Sequence, residues 1–249
     1  GEPLLNPELV EMIVYAKARG IATSLTTNGS LLNDNLLSDL IKCTDKLVVS
    51  LDAANRDTYE NMRRGGNWEQ LLRVLKQIAS MENESTQFVY NSVIASQKPE
   101  EIVEIIDLAY ELRPYELHLQ LVENWYIPGQ PEFSQAHQDL MMIRDKIEPT
   151  ILSLMSGWKR KLNQRGIRLT YSGSTHRKGR CWWPFFGSFI SASGEMTPCC
   201  IRMTASACSF GNLFEAGLES IWTGPAYQNF RKSMFDHHFE NTICQFCPM

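Results

Sequence analysis

Residues 87–122 read QFVYNSVIASQKPEEIVEIIDLAYELRPYELHLQLV, and this stretch decides the fold. Gln87–Ile94 is β-branched and aromatic, the composition of a strand. Pro99 opens a segment in which Ile102, Val103, Ile106 and Ala109 recur at helical spacing as far as Leu112, and proline is at home in a first helical turn. Glu116–Val122 (ELHLQLV) returns to a strand. Strand, helix and strand in this order make a βαβ unit, whose long crossover forces the two strands to run parallel.

The same alternation extends upstream. Asn6-Pro7 reads as a helix cap with proline at the first helical position, and Leu9, Ile13 and Ala16 follow at helical spacing until Gly20. Ile21–Thr27 reads as a strand ending at Asn28-Gly29, 33–41 as a helix, Lys46–Leu51 (KLVVSL) as a short buried strand, and 67–81 as a helix with Leu71, Leu72, Leu75 and Ile78 on one face. Downstream, 124–132 is a Pro- and Gly-containing loop, and about 134–165 is helical with Pro149 as its candidate break. From Ile167 the character changes to short strands, turns and cysteines, which places a domain boundary near Gly166: a first domain over 1–166 and a second over 167–249. Counting the stub at Gly1, about five β/α units precede that boundary, too few to close an eight-stranded barrel. The reading is an α/β fold, an open and partial parallel barrel followed by a small cysteine-rich domain. In such sheets sites are built in the loops after the carboxyl ends of the strands.

Composition narrows the function classes. Hydrophobic residues at 43% and charged residues at 21% exclude a disordered chain, a coiled coil and a collagen-like repeat. The charge sum, 24 minus 28, is −4 and no long basic stretch occurs, which excludes a nucleic-acid binder that works by neutralising phosphates. The longest apolar run, CWWPFFGSFI, is interrupted by Pro184 and Gly187 and falls short of a membrane span. Of the seven cysteines, an odd number for a fully paired disulfide framework, Cys43 stands alone and the others crowd residues 181–249. A thiol-rich tail on a thiol-poor domain without a signal segment implies a reducing, cytoplasmic setting and a metal site.

Cys181 is followed by twelve residues, Gly194, four residues and Cys199, and Cys244 and Cys247 form a CxxC before Pro248. Four thiolates from these segments hold either Zn²⁺ or an iron–sulfur cluster, and spacing alone leaves both open. Adjacent Cys200, and Cys208, become packing residues or support the ligands from behind. Cys43, at a helix end, reads as a small buried hydrophobe.

The ordered motifs resemble one family. Gly1-Glu2-Pro3-Leu4-Leu5 is similar to the end of the Gly-Gly-Glu-Pro motif of radical S-adenosylmethionine (radical SAM) enzymes. LTTNGSLL (25–32) and VVSLDAAN (48–55) resemble that family's next two strand ends. The tail resembles a SPASM/twitch auxiliary domain: Cys-x12-Gly-x4-Cys, then FGNLFEAGLESIWTGPAYQNFRKSM (210–234), then CxxCP. The resemblance implies S-adenosylmethionine as cofactor and one auxiliary [4Fe–4S] cluster on Cys181, Cys199, Cys244 and Cys247. The family's Cys-x3-Cys-x2-Cys, which holds the cluster that reduces S-adenosylmethionine, does not occur in this sequence. The abrupt start within the Glu2 motif reads as a truncation upstream, and the fragment alone is expected to be inactive.

The resemblance further implies a 5′-deoxyadenosyl radical that abstracts hydrogen from a small-molecule or peptide substrate, by dehydrogenation of a sugar-like alcohol or modification of a peptide side chain. An electron donor such as flavodoxin or ferredoxin is the implied partner. Glu2 is the carboxylate expected to accept from the cofactor's α-ammonium, against a plain helix-start role. Ser50 is expected at its ribose, with Asp52 a further candidate that fits a cap or turn better. Asn28 is a candidate for cofactor or substrate, although Asn-Gly is a common turn. Asn91 and Gln120 are candidate barrel-lining ligands, because an amide on a buried strand must find partners. His118 shares a face with Gln120 and reads as a hydrogen-bonded core histidine that could also face the barrel interior. His237-His238 and the run Arg177, Lys178 and Arg180 read as solvated loops, and Trp182, Trp183, Phe185 and Phe186 as a cluster shield or inter-domain packing. The rival from another class is a non-enzymatic, zinc-stabilised binding module on the same four cysteines.

Overall fold

Five parallel strands in the order β1-β2-β3-β4-β5 form the sheet: Ser24–Thr27, Lys46–Ser50, Gln87–Ile94, Glu116–Leu121 and Arg168–Ser172. The computed structural model describes residues 1–81, 85–122, 135–173, 181–200, 208–236 and 243–244; within 135–145 only the side chains of 142 and 143 are included. Helices α1 (Leu9–Lys17), α2 (Asp34–Cys43), α3 (Arg56–Met62), α4 (Trp68–Ser80), α5 (Pro99–Leu112) and α6 (Gln135–Gln164) connect the strands. Three of them begin on an asparagine whose side chain accepts an otherwise unpaired backbone N–H: Asn33 from Leu36, Asn55 from Thr58 and Asn67 from Gln70.

The strands alternate, and the alternation assigns their faces. Leu47, Val49, Phe88, Tyr90, Leu117, Leu119, Leu121 and Leu169 join the helix residues Leu37, Leu40, Leu71, Leu75, Ile102, Ile106, Ala109, Ile151 and Leu162 in one continuous core. The other face carries Ser50, Asn91, His118, Gln120, Thr170 and Ser172. A parallel sheet covered on both sides would be apolar on both; here the face away from the helices mixes Val48, Val89 and Val93 with these polar side chains.

The sequence expectations and the structure differ in several places, among them α3, which the sequence does not mark, and β1, which starts at Ser24 and not at Ile21. Gly1 forms no strand. Residues Pro3–Leu5 are a 3₁₀ turn, and α1 starts two residues after Pro7, with Asn6 accepting from Glu8 N–H instead of capping the helix. The fifth strand is β5, which pairs along β4 from Glu116↔Arg168 to Gln120↔Ser172. The first of two compact units therefore comprises Gly1–Val122 and Asp139–Gly173, and the division falls after Gly173 where the sequence places a boundary near Gly166. α6 continues through Pro149, at the cost of one intrahelical bond. Its second half is held to the core by Ile151 and Leu162, with Leu154, Met155 and Trp158 packed beside them.

The second unit comprises Glu123–Gln138 and Ser174–Met249. Its described elements are α7 (Trp183–Phe186), the antiparallel pair β6 (Phe189–Ile190) and β7 (Met196–Thr197), then α8 (Leu213–Ala216), α9 (Leu218–Trp222) and α10 (Pro225–Phe235). Met196, Ile221 and Tyr227 form its small core, with Phe210, Trp222 and Phe230 against it. Gly194 turns β6 into β7 at φ +87°, and a Cβ there would sit 2.5 Å from Phe214 Cδ2 and 2.7 Å from Asn212 Oδ1. Only glycine fits, which gives the glycine of Cys-x12-Gly-x4-Cys a physical reason. No helix among the described residues is long and apolar enough to cross a membrane.

Candidate functional site

The carboxyl ends of the strands gather most of the residues singled out in the sequence. Glu2 is clamped at the end of β1. Its Oε1 accepts from Thr27 Oγ1 at 2.7 Å and Leu4 N–H at 3.1 Å, and its Oε2 accepts from Asn28 N–H at 2.8 Å. Three of about four acceptor positions of the carboxylate are thus used. Glu2 caps the 3₁₀ turn, as the helix-start reading has it, and keeps one position on Oε2. Asn28 Oδ1 accepts from Ser30 N–H at 2.8 Å, the common Asx turn.

Strand register aligns the next candidates. Ser50 pairs with Asn91, Asn91 with His118 and His118 with Thr170, so four strands contribute one row of polar side chains on the face away from the helices. One step nearer the carboxyl ends lie Val93, Gln120 and Ser172. The Ser50 hydroxyl and the Asn91 and Gln120 amides are half-buried and have no side-chain hydrogen bond among the described residues. Half-buried polar groups of this kind are what a polar ligand requires of a site.

Asp52 is different. It is 6% exposed, its Oδ2 accepts from Arg63 Nε at 2.8 Å and from Arg63 Nη2, and its Oδ1 accepts from Val93 N–H at 2.9 Å. Both oxygens bond within the protein: Asp52 ties the loop after β2 to β3 and to the end of α3, in keeping with its reading as a turn residue. Gln97, which the sequence reading passed over, completes the tie. Its Nε2 donates to the Asp52 and Val93 carbonyls, both at 2.9 Å, and its Oε1 accepts from Ala95 N–H at 2.7 Å and Ser96 N–H at 3.1 Å.

His118 is bonded on both ring nitrogens, Nδ1 to Thr170 Oγ1 at 2.7 Å and Nε2 to Ser172 Oγ at 3.0 Å. It is hydrogen-bonded, as expected, but it lies on the polar face. Thr170 and Ser172 sit on a strand that the sequence reading placed beyond the barrel. The only signal for their partnership was the matching alternation of ELHLQL and RLTYS.

Of the proposed thiol ligands, Cys181, Cys199 and Cys244 are half-buried, and Cys247 lies outside the described residues, as do Arg177, Lys178, Arg180, His237 and His238. Among the described residues no group of three or more His, Cys, Asp or Glu gathers at metal-binding distance. Burial, together with the neighbouring Cys199, pushes the Cys208 thiol up to about 11. Cys43 is buried and donates its S–H to the Asp39 carbonyl at 3.3 Å. Trp182, Trp183 and Phe186 are exposed in the second unit, and Trp182 packs on Phe185 at 5.4 Å between ring centroids.

The fold and this polar row define a parallel α/β unit with a site at its strand ends, joined in sequence to a thiol-rich unit. The radical SAM superfamily model matches residues 1–112, and the SPASM model, an iron–sulfur cluster-binding domain, matches 181–248. The chain belongs to the radical SAM superfamily and carries its SPASM domain. The family's cofactors are S-adenosylmethionine and [4Fe–4S] clusters.

An AdoMet-dependent heme synthase of Methanosarcina barkeri is 32% identical over 247 residues, which cover 89% of this chain and 66% of that protein. A PqqA peptide cyclase of Xanthomonas euvesicatoria pv. vesicatoria is 24% identical over 260 residues, covering 100% of this chain and 65% of that protein. The chain thus spans just under two thirds of the length of these relatives. Streptococcus suis SuiB superposes with a TM-score of 0.68 at 16% identity over 93% of this chain and 56% of SuiB. Native anSMEcpe with bound AdoMet superposes with a TM-score of 0.68 at 16% identity over 94% of this chain and 68% of that one. These likenesses show the fold, a partial barrel whose interior is the polar face described above.

Proposed function

We propose that this chain serves a cytoplasmic radical SAM enzyme that abstracts hydrogen from a peptide side chain or a small, sugar-like alcohol. Bound and reduced, S-adenosylmethionine supplies the hydrogen-abstracting 5′-deoxyadenosyl radical. The observation that carries the reading is the row Ser50–Asn91–His118–Thr170, continued by Gln120 and Ser172. It is a polar interior face at the strand ends of a chain matched by both family models. On this reading Glu2 offers its remaining acceptor position to the cofactor's ammonium, a charge-assisted contact. Asn28 and Ser50 hold its polar groups, and Asn91 and Gln120 orient the substrate with their unpaired amides. Asp52 and Gln97 keep the loops after β2 and β3 in place and touch neither. Cys181, Cys199, Cys244 and Cys247 hold the auxiliary cluster, for which a match to an iron–sulfur domain is better support than it is for zinc. A relative named for a peptide favours a peptide substrate, and an electron donor of the flavodoxin or ferredoxin kind completes the system.

The test is anaerobic reconstitution of the full-length protein with iron and sulfide, then incubation with dithionite and S-adenosylmethionine. The expected results are a brown protein with thiolate-to-iron absorption near ~400 nm and formation of 5′-deoxyadenosine. Candidate peptides and sugar alcohols are then compared for their stimulation of that product. A colourless, zinc-loaded protein that leaves S-adenosylmethionine intact would defeat the proposal.

A further inference from the structure

Across β4 and β5 four side chains on the interior face form one chain of hydrogen bonds. The Glu116 carboxylate accepts from the Thr170 hydroxyl, His118 Nδ1 lies 2.7 Å from Thr170 Oγ1, and His118 Nε2 lies 3.0 Å from Ser172 Oγ. The direction of each bond follows by elimination. The Thr170 hydroxyl has a single hydrogen, and it is spent on Glu116. Thr170 Oγ1 is then an acceptor for His118, and Nδ1 carries the hydrogen. A neutral imidazole has only one, so Nε2 is bare and accepts the hydrogen of Ser172. The tautomer is fixed by neighbours, and its basic nitrogen points along the row toward the carboxyl end of β5.

Three further observations separate this chain from an ordinary cross-strand network. Glu116 is buried, so its carboxylate is committed to this face, whereas Ser172 is exposed at the strand end, beside Gln120 in register. The network therefore begins inside the protein and ends where the proposed substrate side opens. The charged groups around the ring are few. Glu116 lies 3.9 Å from Nδ1, Arg168 Nε is 3.8 Å from the other Glu116 oxygen, and Lys46, on β2, acts on the ring through its charge. Burial holds the imidazole below its ordinary value of 6.5; Glu116 pulls it up and Lys46 pushes it down. His118 is thus neutral and able to accept at physiological pH.

We propose that Ser172, His118, Thr170 and Glu116 are a proton-accepting relay for a substrate O–H or N–H group at the carboxyl end of β5. The inference rests on the preceding reading of this face as the substrate side. In the step, the substrate O–H or N–H bond breaks and its electron pair stays on the substrate atom. The proton goes to Ser172 Oγ as the hydrogen of Ser172 passes to His118 Nε2, so one N–H bond forms for the one bond lost. The imidazolium keeps its Nδ1–H on Thr170, and Glu116, through Thr170, offsets its charge. His118 and Ser172 are the acceptor groups; Thr170 and Glu116 are positioning residues.

The experiment uses the full-length protein labelled with ¹⁵N-histidine, with His118→Gln to assign the signal. Expected is the Nδ1–H tautomer at pH 7 and a titration midpoint below 6.5, lowered further in Glu116→Gln. Thr170→Val, which cannot accept, should release the tautomer preference without unfolding the sheet. Diethyl pyrocarbonate, which attacks bare imidazole nitrogen, should label His118 in a peptide map with the same pH midpoint, and several-fold faster in Ser172→Ala, where the hydroxyl over Nε2 is gone. An Nε2–H tautomer at pH 7 overturns the proposal. So does a His118 that stays unlabelled at pH 8 in both wild type and Ser172→Ala, the behaviour of a sealed structural histidine. Failure of the radical reading is seen separately: wild-type protein that yields no 5′-deoxyadenosine refutes that reading, while tautomer and labelling still decide the relay.

Discussion

Gln97 shows how much one side chain contributes when all four of its hydrogen-bonding positions are used inside the protein. It is 4% exposed and joins two carbonyls and two N–H groups in the loops after β2 and β3. Replacing it with leucine keeps the volume but leaves those backbone groups buried without partners. Each such loss costs about 1–3 kcal/mol when water cannot compensate. Gln97→Leu is expected to destabilise the chain by roughly 2–4 kcal/mol in urea unfolding. A midpoint within experimental error of wild type would mean that the loops re-pair or admit water. The position is opaque in the sequence because SQK has the composition of any polar loop, and its fourth partner, the Asp52 carbonyl, reaches it only when β2 and β3 lie side by side. The partners of Asp52, which fits a cap or turn better, are hidden in the same way: its arginine lies eleven residues away at the end of a helix the sequence did not announce. By contrast Cys43, a thiol at the inner end of an amphipathic helix, was legible without any tertiary information.

At the scale of elements, legibility follows the apolar stripe. β3 and α5 begin and end where their patterns do, because each carries enough apolar residues to specify its period. α3 has only Tyr59 buried, so no stripe marks it. What holds it is polar: Asn55 Nδ2 donates to Glu104 Oε2 and Thr58 Oγ1 to Glu101 Oε1, both at 2.7 Å. Glu101 also accepts from Lys98 N–H at the start of α5, and this backbone bond, followed by the Thr58 hydroxyl, holds its carboxyl below the usual carboxylate range. A depressed folded value means that the unfolded chain binds the proton more tightly. The stabilisation is therefore complete above the unfolded glutamate value of about 4.3 and is lost as pH falls through the folded one. Between pH 6 and pH 3 wild type should lose stability more steeply than Glu101→Gln. Parallel slopes in urea titrations at several pH values would show that the bond seen here carries no net energy. The polar row of the candidate site belongs to this scale too. Single strands display their alternation in sequence, but the register that sets Ser50, Asn91, His118 and Thr170 side by side is a property of pairing between segments up to 52 residues apart.

The two units of the whole molecule have very unequal means of holding themselves together. The first has a continuous core running through five strands and six helices. Among its described residues the second has Met196, Ile221 and Tyr227, a hairpin with two residues in each strand, and helices of 4, 4, 5 and 11 residues. Arg231 ties its elements together: the guanidinium lies 3.9 Å from the centroids of both Trp222 and Tyr227 while donating to the Pro184 and Trp222 carbonyls. Small units with few core residues commonly depend on a staple such as a metal site. The cysteines are the residues available for one, so the bound cluster should act as folding energy for the second unit and not for the first. Hydrogen exchange of the full-length protein, before and after anaerobic reconstitution, reads this directly. Peptides from 181–236 are expected to gain protection by at least an order of magnitude, while those from β2, β3 and β4 exchange as slowly without the cluster as with it. Removing two ligands, Cys181→Ala with Cys199→Ala, should leave the second unit fast-exchanging under both conditions. Equal protection of 181–236 in the metal-free and reconstituted protein would show that the aromatic cluster around Arg231 suffices on its own, and that the thiols were kept for chemistry and not for folding.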